Sequence, residues 1–179
     1  GRLDNLFMTY CAIRGLLNGL SHHGGAVIRM VAVFDCEEVG SEMPAGADGN
    51  LLPAVLAAYF PGVDMSASLL VSADMAHSVH PNYADKHDQS HRPCINRGVV
   101  FKHHSGARYA TTSRASAALR HFLMAYAGDG AAQPVKLQSP FMVRNDSPCG
   151  STIGPMLSAK LGVPCVDLGL PQLAMHSCR

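Results

Sequence analysis

The sequence predicts an α/β fold, a three-layer α/β/α sandwich with a mixed, mostly parallel central sheet, and three observations predict it. Apolar runs of strand length alternate with amphipathic stretches of helical spacing, roughly four or five times along the chain. Acidic residues or histidines follow those runs at their carboxyl ends, where open α/β sheets bind ligands. No internal repeat or low-complexity segment competes with that reading.

The elements follow in order. Leu3, Leu6, Phe7, Tyr10, Ile13, Leu17 and Leu20 recur at helical spacing, so a helix is expected from about Asp4 to Leu20, with Asp4 as its N-cap. Ser21 to Gly25 reads as a turn that exposes His22 and His23, and Val27 to Phe34 as a buried strand. Gly, Ala and Pro between Ser41 and Gly49 mark a loop, and Leu52, Val55, Leu56 and Tyr59 outline a short helix stopped by Pro61 and Gly62. Ser68 to Ser72 is a second strand, delivering Asp74 with His77 three residues on. Pro81 to Pro93 is a polar loop, and Val99 to Lys102 is a strand that leads to Arg108 and Tyr109. Ser113 caps a helix with Ala115, Leu119, Phe122, Leu123 and Tyr126 on its apolar face, ending at Gly128. Pro140 to Val143 is strand-like, and residues 145–152 turn into a helix with Ile153, Met156, Leu157 and Leu161 inward and Gly162 past its end. Val163 to Leu168 is the last strand, followed by a segment that carries His176.

Composition excludes several classes. With 179 residues the chain can bury one sizeable core. A formal net charge of +1 with 15% charged and 47% hydrophobic residues suggests neither disorder nor nucleic-acid binding. The longest apolar run, Leu51 to Val63, is broken by two prolines and is too short for a bilayer, so no membrane partner is expected. Six cysteines without a CxxC pair argue for reduced thiols in a cytoplasmic protein. Ten histidines against six phenylalanines and no tryptophan favour metal or proton chemistry.

The chemistry centres on Glu37 and Glu38, which follow the run ending at Phe34. Like charges held together raise each other's pKa unless a cation separates them. One carboxylate can ligate a metal while its neighbour moves a proton; the plain alternative is a solvated strand end. Taken singly, Asp4 reads as a cap or as a ligand at a helix start, and Asp74 as a ligand or as part of a polar turn. Lys102 reads as a solvated or anion-binding cation, and His176 as a hydrogen-bonded core residue.

A longer pattern changes the balance. The blocks Arg2–Leu6, Glu37–Ser41, Ser72–His77, His80–Tyr83, Arg108–Ala110, Arg144–Pro155 and Gln172–Ser177 closely resemble, in order, those of the aspartyl aminopeptidase and vacuolar aminopeptidase family of dizinc exopeptidases. The resemblance implies a zinc aminopeptidase acting on peptides, with a preference for an acidic N-terminal residue. It implies that Asp4 bridges two zinc ions, that Glu38 and His176 complete one site and that Asp74 binds the other. Glu37 would be the general base, and His77, Lys102 and Tyr109 would contact substrate.

The family's first ligand is a His in an upstream His-x-Asp segment followed by an inserted dimerisation domain, and residues 1–179 contain neither. The chain is therefore expected to be one partial catalytic domain, inactive by itself, from a protein that forms homo-oligomers. Cys36 stands where the family more often has His or Asn, and Lys102-His103-His104 departs from its pattern. The alternatives are a non-catalytic scaffold or cargo relative, or a dizinc hydrolase with another substrate class.

Overall fold

The computed structural model describes residues 2–21, 27–128 and 135–176. Its elements are α1 (Leu6–Gly19), α2 (Leu51–Tyr59), β1 (Leu70–Ala73), β2 (Ala76–His77), β3 (Val100–His103), α3 (Ser113–Gly128), β4 (Phe141–Met142), α4 (Gly154–Leu161), β5 (Cys165–Gly169) and β6 (Pro171–Gln172). Short 3-10 segments lie at Glu37–Val39, Met65–Ala67 and Pro81–Lys86. His22 and His23 lie outside the described residues.

The main sheet has the order β1-β5-β3-β4, and β2 and β6 form a small second ladder. β1 with β5, β3 with β4 and β2 with β6 are parallel, whereas β3 and β5 are antiparallel. This is the mixed, mostly parallel arrangement expected from the sequence. β5 is the centre: Val166 is fully buried against Phe101 and Ala115, so this face of the sheet meets α3. Asp167, next along the strand, points the opposite way. There it meets Thr152 and Gly154 at the start of α4. Helices therefore cover both faces of β5.

The described structure differs from the sequence reading at several places. Residues 27–34 form no strand, and their backbone makes no hydrogen bond to other described residues. Ile28 and residues 30–34 line a cavity of about 620 Å³ that is also lined by Leu70 and Ser72 of β1, the strand at the open edge of the sheet. Their apolar side chains border that open cavity and stay largely exposed, so the buried strand expected there is not formed.

Asp4 does not cap α1. The cap position is Asn5, which makes no side-chain capping bond. At α3 the hydroxyl of Thr112, not Ser113, accepts from the N–H of Ala115, 3.2 Å away. Gly162 does end α4, at φ 65°, in the left-handed region that glycine adopts freely. The two-residue strands β2 and β6 were too short for any periodicity to show.

Candidate metal centre and flanking pocket

Two local devices bring distant carboxylates together. The side-chain N–H of Asn5 donates to the carbonyl of Ala73 at 2.9 Å, tying the start of α1 to the end of β1. Asp4 and Asp74, each next to one of those two residues, are thereby neighbours, and the peptide between Asp4 and Asn5 is cis. The N–H of Asp74 donates to the Leu168 carbonyl at 3.0 Å, which continues the β1–β5 register into the site.

The second device is the turn of Glu37 and Glu38. Cys36 enters it at φ 58° and ψ 28°, a left-handed conformation that costs a residue with a Cβ about 1–3 kcal/mol. The N–H of Ser41 closes the turn on the Cys36 carbonyl at 2.9 Å, and the Asp35 carboxylate accepts from the Cys36 N–H at 2.8 Å. Two adjacent acids on a single tight turn cannot alternate faces as they would on a strand, so both border the large cavity together with Asp4 and Asp74.

His176 arrives from the turn that follows β6. Its Nε2 lies 3.0 Å from Glu38 Oε1 and 3.5 Å from Asp4 Oδ2. One donor atom from each of Asp4, Glu38 and His176 lies within 4.8 Å of the other two. Two carboxylate oxygens and an imidazole nitrogen form a donor set suited to zinc. Asp4 has a buried side chain, and its carboxyl is pushed up to about 7, by burial first and then by the charge and hydrogen bond of Asp74. A buried carboxyl group crowded by other carboxylates is a place where a cation is favoured. Glu37 is also held above the ordinary carboxylate range, by desolvation first and then by Asp74 and Glu38.

Asp74 stands between this centre and a second, smaller cavity of about 130 Å³ lined by His77, Lys102, Tyr109, Cys149 and Met175. Lys102, far from being solvated, is 2% exposed, and its Nζ donates to Asp74 Oδ2 at 2.8 Å. The ammonium also sits 5.5 Å from the centroid of the Tyr109 ring. The Tyr109 hydroxyl accepts from the Cys149 thiol at 3.4 Å, and burial raises its pKa above the usual range. Desolvation and the Lys102 charge lower the pKa of His77.

All eight residues singled out from the sequence therefore border one of two adjoining cavities or the donor cluster between them. Asn5, Cys149 and Asp167 were not singled out. Asn5 sat in the Arg2–Leu6 block, but its partner Ala73 is 68 residues away, and nothing local announces that bond.

Residues 1–179 match the model of the family described as aminopeptidase I zinc metalloprotease (M18). An aspartyl aminopeptidase of Aspergillus oryzae is 48% identical over 99% of this chain and 39% of its own length. The chain thus spans about two fifths of that relative. Among solved structures, the cryo-EM structure of the Ape4 and Nbr1 complex is similar with a TM-score of 0.87 and 43% identity, over 99% of this chain and 34% of that one. The yeast mApe1 dodecamer is similar with a TM-score of 0.78 and 27% identity, over 98% of this chain and 39% of that one. With the whole described length matched and the metal-type donors clustered, the chain belongs to the aminopeptidase I zinc metalloprotease family.

Proposed function

We propose that the complete protein is a zinc-dependent aminopeptidase that removes an N-terminal residue, preferably acidic, from peptides. The observation that carries this reading is the convergence of Asp4, Glu38 and His176 on one point with Glu37 and Asp74 bordering it. The Aspergillus oryzae relative, named an aspartyl aminopeptidase, supports the substrate preference. Asp4, Glu38 and His176 would hold one zinc, and Asp4 with Asp74 would contribute to a second. Bound zinc polarises a carbonyl and lowers the pKa of a water towards about 7.

The chain's own residues then divide the remaining work. Glu37 takes the proton of the attacking water and returns it to the leaving amine, a role suited to a carboxyl group held above its ordinary range. Glu38 would not do the same, because as one of the residues that would hold the metal it would give its lone pairs to that bond. Lys102 and Tyr109 place a cation and a hydroxyl on the smaller cavity, where a substrate carboxylate or a developing oxyanion would be held. His77, with its pKa lowered, offers a neutral ring at the same wall.

Among the described residues the second zinc would have only Asp4 and Asp74, fewer than the three protein ligands usual at a catalytic zinc. Residues 1–179 alone are therefore proposed to be inactive. The dodecameric neighbour supports a homo-oligomer. The widely spaced cysteines support a reducing compartment such as the cytoplasm.

The test is hydrolysis of Asp-terminal and Leu-terminal chromogenic peptides by the full-length protein. Glu37→Gln should lower turnover by about two to four orders of magnitude while zinc content stays at about two per chain. Undiminished turnover in that variant would remove Glu37 from its role, and a zinc-loaded wild type that cleaves neither peptide would overturn the reading.

A further inference from the structure

Asp167 is fully buried at the centre of β5, and its two hydrogen-bond donors are neutral. Its Oδ2 accepts from the N–H of Ala110 at 2.6 Å, and its Oδ1 accepts from the hydroxyl of Thr152 at 2.5 Å. Its main chain is tied as well: the N–H of Asp167 donates to Thr111 Oγ1 at 2.9 Å, and that hydroxyl donates to the Asp167 carbonyl at 3.3 Å. A carboxylate inside a protein is costly unless every oxygen is met. An apolar side chain would fill the space without that cost, so the carboxylate must be explained by what it ties together.

It ties together two loops that form one wall. Ala110 follows Tyr109, and Thr152 follows the irregular Cys149–Ser151 segment. Tyr109, Cys149 and Ser151 all line the smaller cavity beside Lys102. Ser151 Oγ adds a second link between the same loops by donating to the Arg108 carbonyl at 2.9 Å. Gly154 completes the arrangement: a Cβ there would lie 2.7 Å from Asp167 Cγ, so only glycine leaves the carboxylate in place. Asp167 itself lines neither cavity.

We propose that Asp167, acting through Ala110 and Thr152, is the positioning residue that sets the distance between Tyr109 and Cys149 and so fixes the wall of the substrate pocket. It takes no proton in the reaction and touches no substrate. The kinetic part rests on the aminopeptidase reading above; the position of the wall does not.

The experiment uses the full-length protein with Asp167→Ala and Thr152→Val as breaking variants, and Asp167→Asn and Thr152→Ser as conservative ones. An asparagine can still accept from Ala110 and donate to Thr152 Oγ1, and a serine keeps the hydroxyl. The first readout is the rate of Cys149 alkylation by iodoacetamide, mapped by mass spectrometry. The breaking variants should speed it about fivefold or more, and the conservative ones should restore it. The second readout is kinetic: in the breaking variants KM for an Asp-terminal peptide should rise about tenfold while kcat changes by less than about threefold. The conservative variants should keep the wild-type pH profile.

Thr152→Val keeps the side-chain size but also removes the acceptor of the Gly154 N–H, 3.3 Å away, whereas Thr152→Ser keeps both bonds, so the two together decide the matter if Asp167→Ala does not fold. Alkylation at the wild-type rate in Thr152→Val overturns the proposal. So does an Asp167→Asn enzyme with a shifted pH profile, since the carboxylate would then take part in proton transfer. If the wild type hydrolyses no peptide, the peptidase reading fails while the alkylation rates still judge the wall.

Discussion

Asn5 and Ala73, 68 residues apart in sequence, are joined by a single hydrogen bond of 2.9 Å that sets Asp4 beside Asp74. That bond is an alignment device for two acidic side chains. Asn5→Ala removes the donor and leaves the half-buried Ala73 carbonyl, which borders the open cavity, to water, so the expected loss in chemical denaturation is about 1 kcal/mol. Zinc affinity should suffer more, by about 10–100-fold, because groups that orient ligands control the metal. Titration of the metal-free variant with zinc checks this, and unchanged affinity would show that the Asp4 and Asp74 carboxylates align without it.

The proton affinity of Asp4 has a sign that can be measured. Its carboxyl has a pKa near 3.8 when unfolded and about 7 when folded, so its contribution to stability is complete below about 3.8 and is lost as pH rises through about 7. In chelator, wild type should lose stability relative to Asp4→Asn between pH 4 and 8. Added zinc should reverse that loss, because binding uses the ionised carboxylate. A difference that stays flat across this range would contradict the assignment.

Lys102 and Asp74 form a buried pair in which the lysine is nearly sealed from water and Asp74 is partly open. Lys102→Met leaves Asp74 without its cation and should destabilise the metal-free protein by about 1–3 kcal/mol, measured by urea denaturation. The same change should reduce cleavage of an Asp-terminal peptide more than of a Leu-terminal one. Equal reductions would place the lysine opposite the reacting carbonyl rather than the substrate side chain.

Thiol reactivity offers an independent check on the sheet. Cys165 is 1% exposed, and burial, with the Asp167 charge next, pushes its thiol up to about 12. Cys11 and Cys94 are exposed. At pH 8 iodoacetamide should label Cys11 and Cys94 and spare Cys165 until denaturant is added. Early labelling of Cys165 would mean that the β1–β5 pairing opens readily.

Gly154→Ala should be one of the more damaging small changes. The added methyl would meet a carboxylate that is already hydrogen-bonded and has nowhere to move. A loss of about 1–3 kcal/mol in denaturation is expected, from the strain of overpacking.

Much of this was readable beforehand, and for a physical reason. Leu157 and Leu161 on α4, or Val166 on β5, lie in elements whose periodicity is set by local geometry, so their pattern is printed in the sequence. Single residues that arrive after such elements, such as Asp74 after β1, could then be placed at the sheet edge. What stayed hidden was non-local. Whether Val27 to Phe34 pairs depends on a neighbouring strand, and an apolar pattern alone cannot state that one is there. Burial of Lys102 depends on Asp74, 28 residues away, accepting its charge. Asp4 looked like a cap because Asp is a good one, yet its side chain is committed to Asp74 and His176 instead.

The unladdered run from Val27 to Phe34 has a practical consequence. Among the described residues its amides and carbonyls have no backbone partner, and several of its side chains, among them Val27, Ile28 and Val33, are exposed. Such a ribbon is a template on which another polypeptide can add itself. Concentrated solutions of residues 1–179 should therefore clump through this segment while the remaining architecture is still intact. A lysine at Val33 should keep them clear.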